Sequence, residues 1–203
     1  LALQYLHSRR LLHRDVRLQQ IMLAENGKLR TAKLGDFWCV ERIPKKGVLW
    51  DRSKPVDPAS VAPEVLKTGA WSEQADMWSS GCVLFELVHG HPPFGGKGTA
   101  VLHRICTETP EFNRLCGTVS SSADSLLRRL LSRDRRRRPA SQEALDHEWF
   151  RLYAHGKPEL SHHHKPRRLH HVSIIGKIPK CRASMKAENL LTASNGSFNK
   201  GFS

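Results

Sequence analysis

At 203 residues and a formal net charge of +14, the chain is long enough for one domain, or for one domain with an extension. The charge is uneven: residues 151–203 carry ten Lys/Arg against two Asp/Glu, while residues 1–150 carry 23 against 17, so the first part is ordinary for a globular domain and the rest is a basic segment able to attract acidic surfaces. Five cysteines, Cys39, Cys82, Cys106, Cys116 and Cys181, are odd in number and form no Cys-x-x-Cys pair, which argues for reduced thiols in the cytosol or nucleus and against a disulfide framework or zinc site; no apolar run is long enough to span a bilayer.

Leu3 and Leu6, with Tyr5 beside them, predict the end of a helix that Ser8-Arg9-Arg10 breaks. Leu11-Leu12 and Ile21-Met22-Leu23 read as two short buried strands, separated by a polar loop that bends at His13-Arg14-Asp15. Asn26-Gly27 is a hairpin signal, since both residues tolerate positive φ. Lys33-Leu34 is the returning strand. It delivers a second isolated carboxylate, Asp36, in an apolar setting with Leu34, Phe37 and Trp38. Two acids at strand ends suit phosphoryl transfer: one accepts a proton from an attacking hydroxyl, the other holds Mg²⁺ on the phosphates.

Residues 39–61 have no period and contain Pro44, Gly47, Pro55 and Pro58, which predicts a long functional loop. Ala62-Pro63-Glu64-Val65-Leu66 closes it with a short helix. Ser72 is the predicted cap of the next helix, with Glu73 in its first turn. Residues 77–88 are apolar on nearly every side, the pattern of a buried helix, and Gly90 with Pro92-Pro93 ends it. A weaker helix covers 99–107. Ser121 and Asp124 predict a capping box ahead of an apolar stripe at Ala123, Leu126, Leu127, Leu130 and Leu131. After the arginine run 133–138, Ser141 opens one last predicted helix to Phe150. Residues 151–203 lack a sustained period, which predicts a basic disordered tail behind a domain at 1–150; His162-His163-His164 in it reads as a polar tract.

In order, His13-Arg14-Asp15, Asp36-Phe37 and Ala62-Pro63-Glu64 resemble the catalytic half of eukaryotic protein kinases, with residues 61–66 and 75–87 similar to the serine/threonine branch. The resemblance implies a mainly α fold with short β-hairpins, a kinase C-lobe without the β-rich N-lobe. It implies ATP-dependent phosphorylation of a protein substrate on Ser or Thr, with ATP and Mg²⁺ as cofactors. By the same resemblance Asp15 takes the hydroxyl proton and Arg17 stands where the family has its catalytic-loop lysine. Asp36 and Gln20 would hold Mg²⁺ and the nucleotide, and Met22 would lie under the adenine. His13 and Phe37 would stack in an internal spine. Asp76 would tie down the loop backbone. Arg138 would pair, buried, with Glu64, so the arginine run matches a family junction rather than a nucleic-acid patch. Arg14 would meet a phosphate on segment 39–61, whose second half offers Ser53 and Ser60.

Five positions depart from the family pattern: Gln20 for Asn, Trp38 for Gly, Arg17 for Lys and Val56-Asp57 for Gly-Thr. Arg17 and Asp57 are therefore expected to form a compensating ion pair. The chain opens at Leu1, not Met, and has no Gly-rich loop, strand lysine or partnering glutamate. An N-lobe is expected to be encoded upstream. Without it the polypeptide is expected to be inactive or severely impaired, with an apolar face exposed. The alternative is a pseudokinase serving as a scaffold for a protein partner. The basic stretches lack aromatic interleaving, so no specific nucleic-acid partner is expected.

Overall fold

One helix, α3 (Glu73–His89), organises the computed structural model, which describes residues 1–25, 28, 31–45, 47–52, 57–112 and 119–154. Its Trp78, Cys82 and Phe85 join a large core cluster with Leu12, Ile105 and Leu127. Its Met77 joins a second cluster with Leu126, Leu130 and Ala144. A helix packed on two sides has no face to leave polar, which is why the sequence is apolar all round. Trp78 and Phe85 are fully buried. Each side chain of that size contributes roughly 1.5–3 kcal/mol of hydrophobic stabilisation.

Around α3 lie α1 (Ala2–Ser8), α2 (Pro63–Thr68), α4 (Thr99–Thr107) and α5 (Ser121–Leu130). Three antiparallel two-stranded ladders complete the described fold. The strand β1 (Leu11–Leu12) pairs with β4 (Glu41–Arg42), β2 (Ile21–Leu23) with β3 (Ala32–Leu34), and β5 (Leu49–Trp50) with β6 (Ala70–Trp71). No described helix is long and apolar enough to cross a membrane.

Several local expectations are corrected. Segment 39–61 is not irregular throughout, because β4 and β5 lie within it; two-residue strands paired to distant partners are too short to register as a period. β2 is half-buried on all three residues rather than buried. Ser72 precedes α3 but its hydroxyl is buried without a hydrogen-bond partner. Ser120, not Ser121, caps α5, accepting from the Ala123 amide, while Asp124 pairs with Arg128 at 2.7 Å. The last helix is two: α6 (Ser141–Leu145) and α7 (Glu148–Ala154). The ring of His147 accepts from the Trp149 amide at 3.3 Å and so starts the second one. The Asn26-Gly27 turn, Ser53, Val56 and the tail from 155 onward lie outside the described residues.

Candidate active site

Asp76 sits in the first turn of α3 and is 1 % exposed. Its carboxylate accepts the backbone N–H of His13 at 2.8 Å and of Arg14 at 2.9 Å, and faces Nε2 of His7 at 3.0 Å. Charge-assisted bonds of this kind are the strong ones, and they are what allow a carboxylate to remain buried. Arg14, held this way, adopts φ 66°, a sharp bend immediately before Asp15.

His13 is fully buried and links the two acid-bearing stretches. Its Nε2–H donates to the Gly35 carbonyl at 3.0 Å, its Nδ1 faces the Asp15 amide at 3.4 Å, and its ring lies 5.5 Å from that of Phe37. The Gly35 amide donates to the Gln20 carbonyl at 2.8 Å. A Cβ at Gly35 would collide with Met22 Cε, so glycine there leaves room for the half-buried Met22 side chain. The stretches around Asp15 and Asp36, distant in sequence, thus meet through His13.

The two carboxylates have different surroundings. Asp15 is 6 % exposed; one oxygen accepts from Gln20 Nε2 at 2.6 Å, and the other lies 2.9 Å from Arg17 Nε in an ion pair not aligned as a hydrogen bond. Asp36 is exposed at φ 57°, and its carboxylate has no hydrogen bond or ion pair among the described residues. The apolar setting expected for Asp36 is therefore absent: Phe37 and Trp38 are themselves exposed, Trp38 by 91 %. Trp38 needs no interior space, and the left-handed residue is Asp36, a type that tolerates it. Cys39 stands near both acids. Burial first, then Asp15 and Asp36, push its thiol above the ordinary range.

The expected Glu64–Arg138 pair is present and bidentate, at 2.7 and 2.8 Å. Arg138 also donates to the carbonyls of Ser132 and Gln74 and lies over the Trp78 ring. The expected Arg17–Asp57 pair is not formed. Arg17 turns to Asp15, because that acid is two residues away on the same loop, and Asp57 instead caps the turn at 58–60 by accepting from the Ala59 amide at 3.0 Å. Both line a cavity of about 60 Å³ with Ser60, Cys82 and Glu86. The partner of Arg14 is a carboxylate, Asp51. Sequence reasoning missed His7, Asp51 and Trp71. His7 had a signal: it lies four residues after Leu3, on the apolar face of α1.

The chain belongs to the protein kinase family, whose protein kinase domain matches residues 1–150, and to its serine/threonine branch. It is 32 % identical over 195 residues to Protein lin-2 of Caenorhabditis elegans, covering 96 % of this chain and 19 % of that protein. It is 36 % identical over 155 residues to Serine/threonine-protein kinase PEPKR2 of Arabidopsis thaliana, covering 75 % and 32 %. Over 146 residues it is 35 % identical to Serine/threonine-protein kinase 36 of Mus musculus, covering 72 % and 11 %. The chain thus spans a third or less of the length of these relatives.

Proposed function

We propose that residues 1–150 are the catalytic lobe of a protein-serine/threonine kinase, with residues 151–203 outside it. Asp15 takes the proton of a substrate Ser or Thr hydroxyl as that oxygen bonds to the terminal phosphorus of ATP, and ADP leaves. The observation that carries this is the Asp76 carboxylate on the amides of His13 and Arg14, which holds the bend before Asp15, while His13 joins that bend to the Gly35 carbonyl next to Asp36. Asp36, exposed and unpaired among the described residues, fits a hard cation. No group of three His, Cys, Asp or Glu among the described residues could hold a metal ion, so phosphates and water would complete the shell. A Mg²⁺ held there would neutralise charge on the phosphates. Gln20 fits that role less well, because its amide N–H is directed at Asp15. Arg17, ion-paired to Asp15, would bring its charge toward the transferred group.

One observation favours the pseudokinase scaffold: both oxygens of Asp15 are engaged, by Gln20 and Arg17. As a base Asp15 would use a lone pair that these contacts leave open, on Oδ1, where the Arg17 pair is not aligned as a hydrogen bond. The two functions separate in a longer chain that carries an N-lobe. Kinase function gives Mg-ATP-dependent thermal stabilisation and peptide phosphorylation. Asp15→Asn then lowers the rate by at least about 100-fold, the usual worth of a general base, with stabilisation kept. Asp36→Asn abolishes the Mg²⁺-dependent part of the stabilisation. Neither stabilisation nor phosphorylation in that longer chain leaves the scaffold. The 203-residue chain alone is expected to be inactive or severely impaired.

A further inference from the structure

We propose that Asp51 is a positioning residue: a built-in anion that holds the described part of segment 39–61 against Arg14, the residue at the bend before Asp15, with no phosphate on the segment. The functional consequence rests on the kinase role proposed above; the positioning itself does not.

The Arg14 Nη2–H donates to Asp51 Oδ2, with the two side chains only 15 % and 28 % exposed, so salt screens the pair less than a surface one. Each partner is fixed by something other than the pair. The Arg14 backbone is bound to Asp76 at φ 66°, and its guanidinium lies over the Trp71 ring, 4.7 Å from the centroid. Asp51 follows β5 directly, and its amide donates to the Gly69 carbonyl at 2.9 Å, continuing the β5–β6 ladder by one bond. Gly69 sits at φ 77°, and a Cβ there would come 2.7 Å from the Asp51 carbonyl, so that approach requires glycine. Trp71, the platform under Arg14, stands on the strand that pairs with β5. The ladder therefore delivers the carboxylate and the indole to the guanidinium together.

A phosphate on the segment would have to compete with Asp51 for Arg14. The Arg14 guanidinium is covered by the Trp71 ring and engaged by a carboxylate. Ser60, one of the two hydroxyls expected to carry a phosphate, is turned elsewhere: its Oγ faces the Asp57 carbonyl at 3.4 Å and its own carbonyl accepts from Ser79 of α3 at 2.9 Å. A carboxylate brings one charge where a phosphate brings up to about two, but it is present from synthesis onward.

The test is amide hydrogen exchange on the full 203-residue chain, shown by intact mass to be unphosphorylated. The amides of 49–51, with the Asp51 N–H bonded to the Gly69 carbonyl, report the strand end that carries Asp51, and those of α3 report the fold. Wild type is expected to be protected at 49–51 without modification. Asp51→Asn is expected to lower that protection at least about tenfold, as for loss of a charged hydrogen bond, with α3 unchanged. Asp51→Glu retains most of it, and Arg14→Met with Asp51→Asn together lose no more than either alone. Unchanged protection in Asp51→Asn, additive losses in the double variant, or a wild type protected only after phosphorylation overturns the proposal. If Asp51→Asn also exposes α3, the decision falls to Arg14→Lys and Asp51→Glu: protection kept in both supports the pair, and loss at 49–51 over an intact α3 in both overturns it. No arm uses nucleotide, so failure of the kinase function is read separately, in the Mg-ATP assay.

Discussion

Cys39 reads out the electrostatics of the candidate site without any ligand. Its thiol is raised by partial burial, then by the negative charge of Asp15 and of Asp36, against the opposing pull of Arg14 and Arg17. The thiolate is the reactive form, so a raised thiol is slower at a given pH. Alkylation of Cys39 by iodoacetamide at pH 8, followed by peptide mass spectrometry, is expected to run more slowly than that of an unstructured cysteine peptide, and to keep rising with pH where the peptide levels off. Asp36→Asn removes one of the charges that raise the thiol, so the rate at pH 8 should increase. A decrease would mean that Asp36 does not act on the thiol. Cys82, buried in α3 and pushed further up by desolvation, should stay unmodified in the folded chain.

At the scale of elements, the tightest contact with α3 is made by α5. A Cβ on Gly81 would stand 2.8 Å from Leu130 Cβ and 3.1 Å from Leu131 Cδ2. Glycine inside a helix costs about 0.5–1 kcal/mol relative to alanine, so on helix propensity alone Gly81→Ala would stabilise. Forcing a methyl group into a packed interface costs about 1–3 kcal/mol. The second effect wins, because the nearest obstructing atom, Leu130 Cβ, is the root of its side chain and not a flexible end. Gly81→Ala should lower the thermal midpoint, and alanine at the exposed Gly95, where the nearest atom is 3.8 Å away, should not. A raised midpoint for Gly81→Ala would show that α5 can move aside.

Across the whole molecule, stretches remote in sequence are joined by a few charged groups. Arg138, whose side chain is 0 % exposed, connects Glu64 of α2, the carbonyl end of residues 132–133 and Gln74 at the start of α3. Removing one partner of such a pair leaves a charge buried alone, at about 3–5 kcal/mol. Glu64→Ala should therefore shift the urea midpoint strongly. Glu143→Ala, which removes an exposed pair with Arg129 (41 % and 54 % exposed), should cost about 1 kcal/mol or less. Equal shifts would contradict the burial of Arg138.

Much of this was legible in the residues themselves. The all-round apolar pattern of α3, the stripe on α5 and the acids at 15 and 36 follow from local periodicity and chemistry, and the family motifs bring Asp76, Glu64 and Arg138 into view. Local signals decided where the longer helices form, because a period of 3.6 is a property of neighbouring positions, but not β4 and β5, two-residue strands set by distant partners. They did not decide partners. Arg17 faced two acids and took Asp15; Arg14 took Asp51 where a phosphate was expected; His7 joined Asp76; Asp36 came to lie in solvent. Those outcomes depend on which surfaces the ladders and α3 bring within a few ångströms, and on which charges burial leaves without water, and only the packed chain determines either.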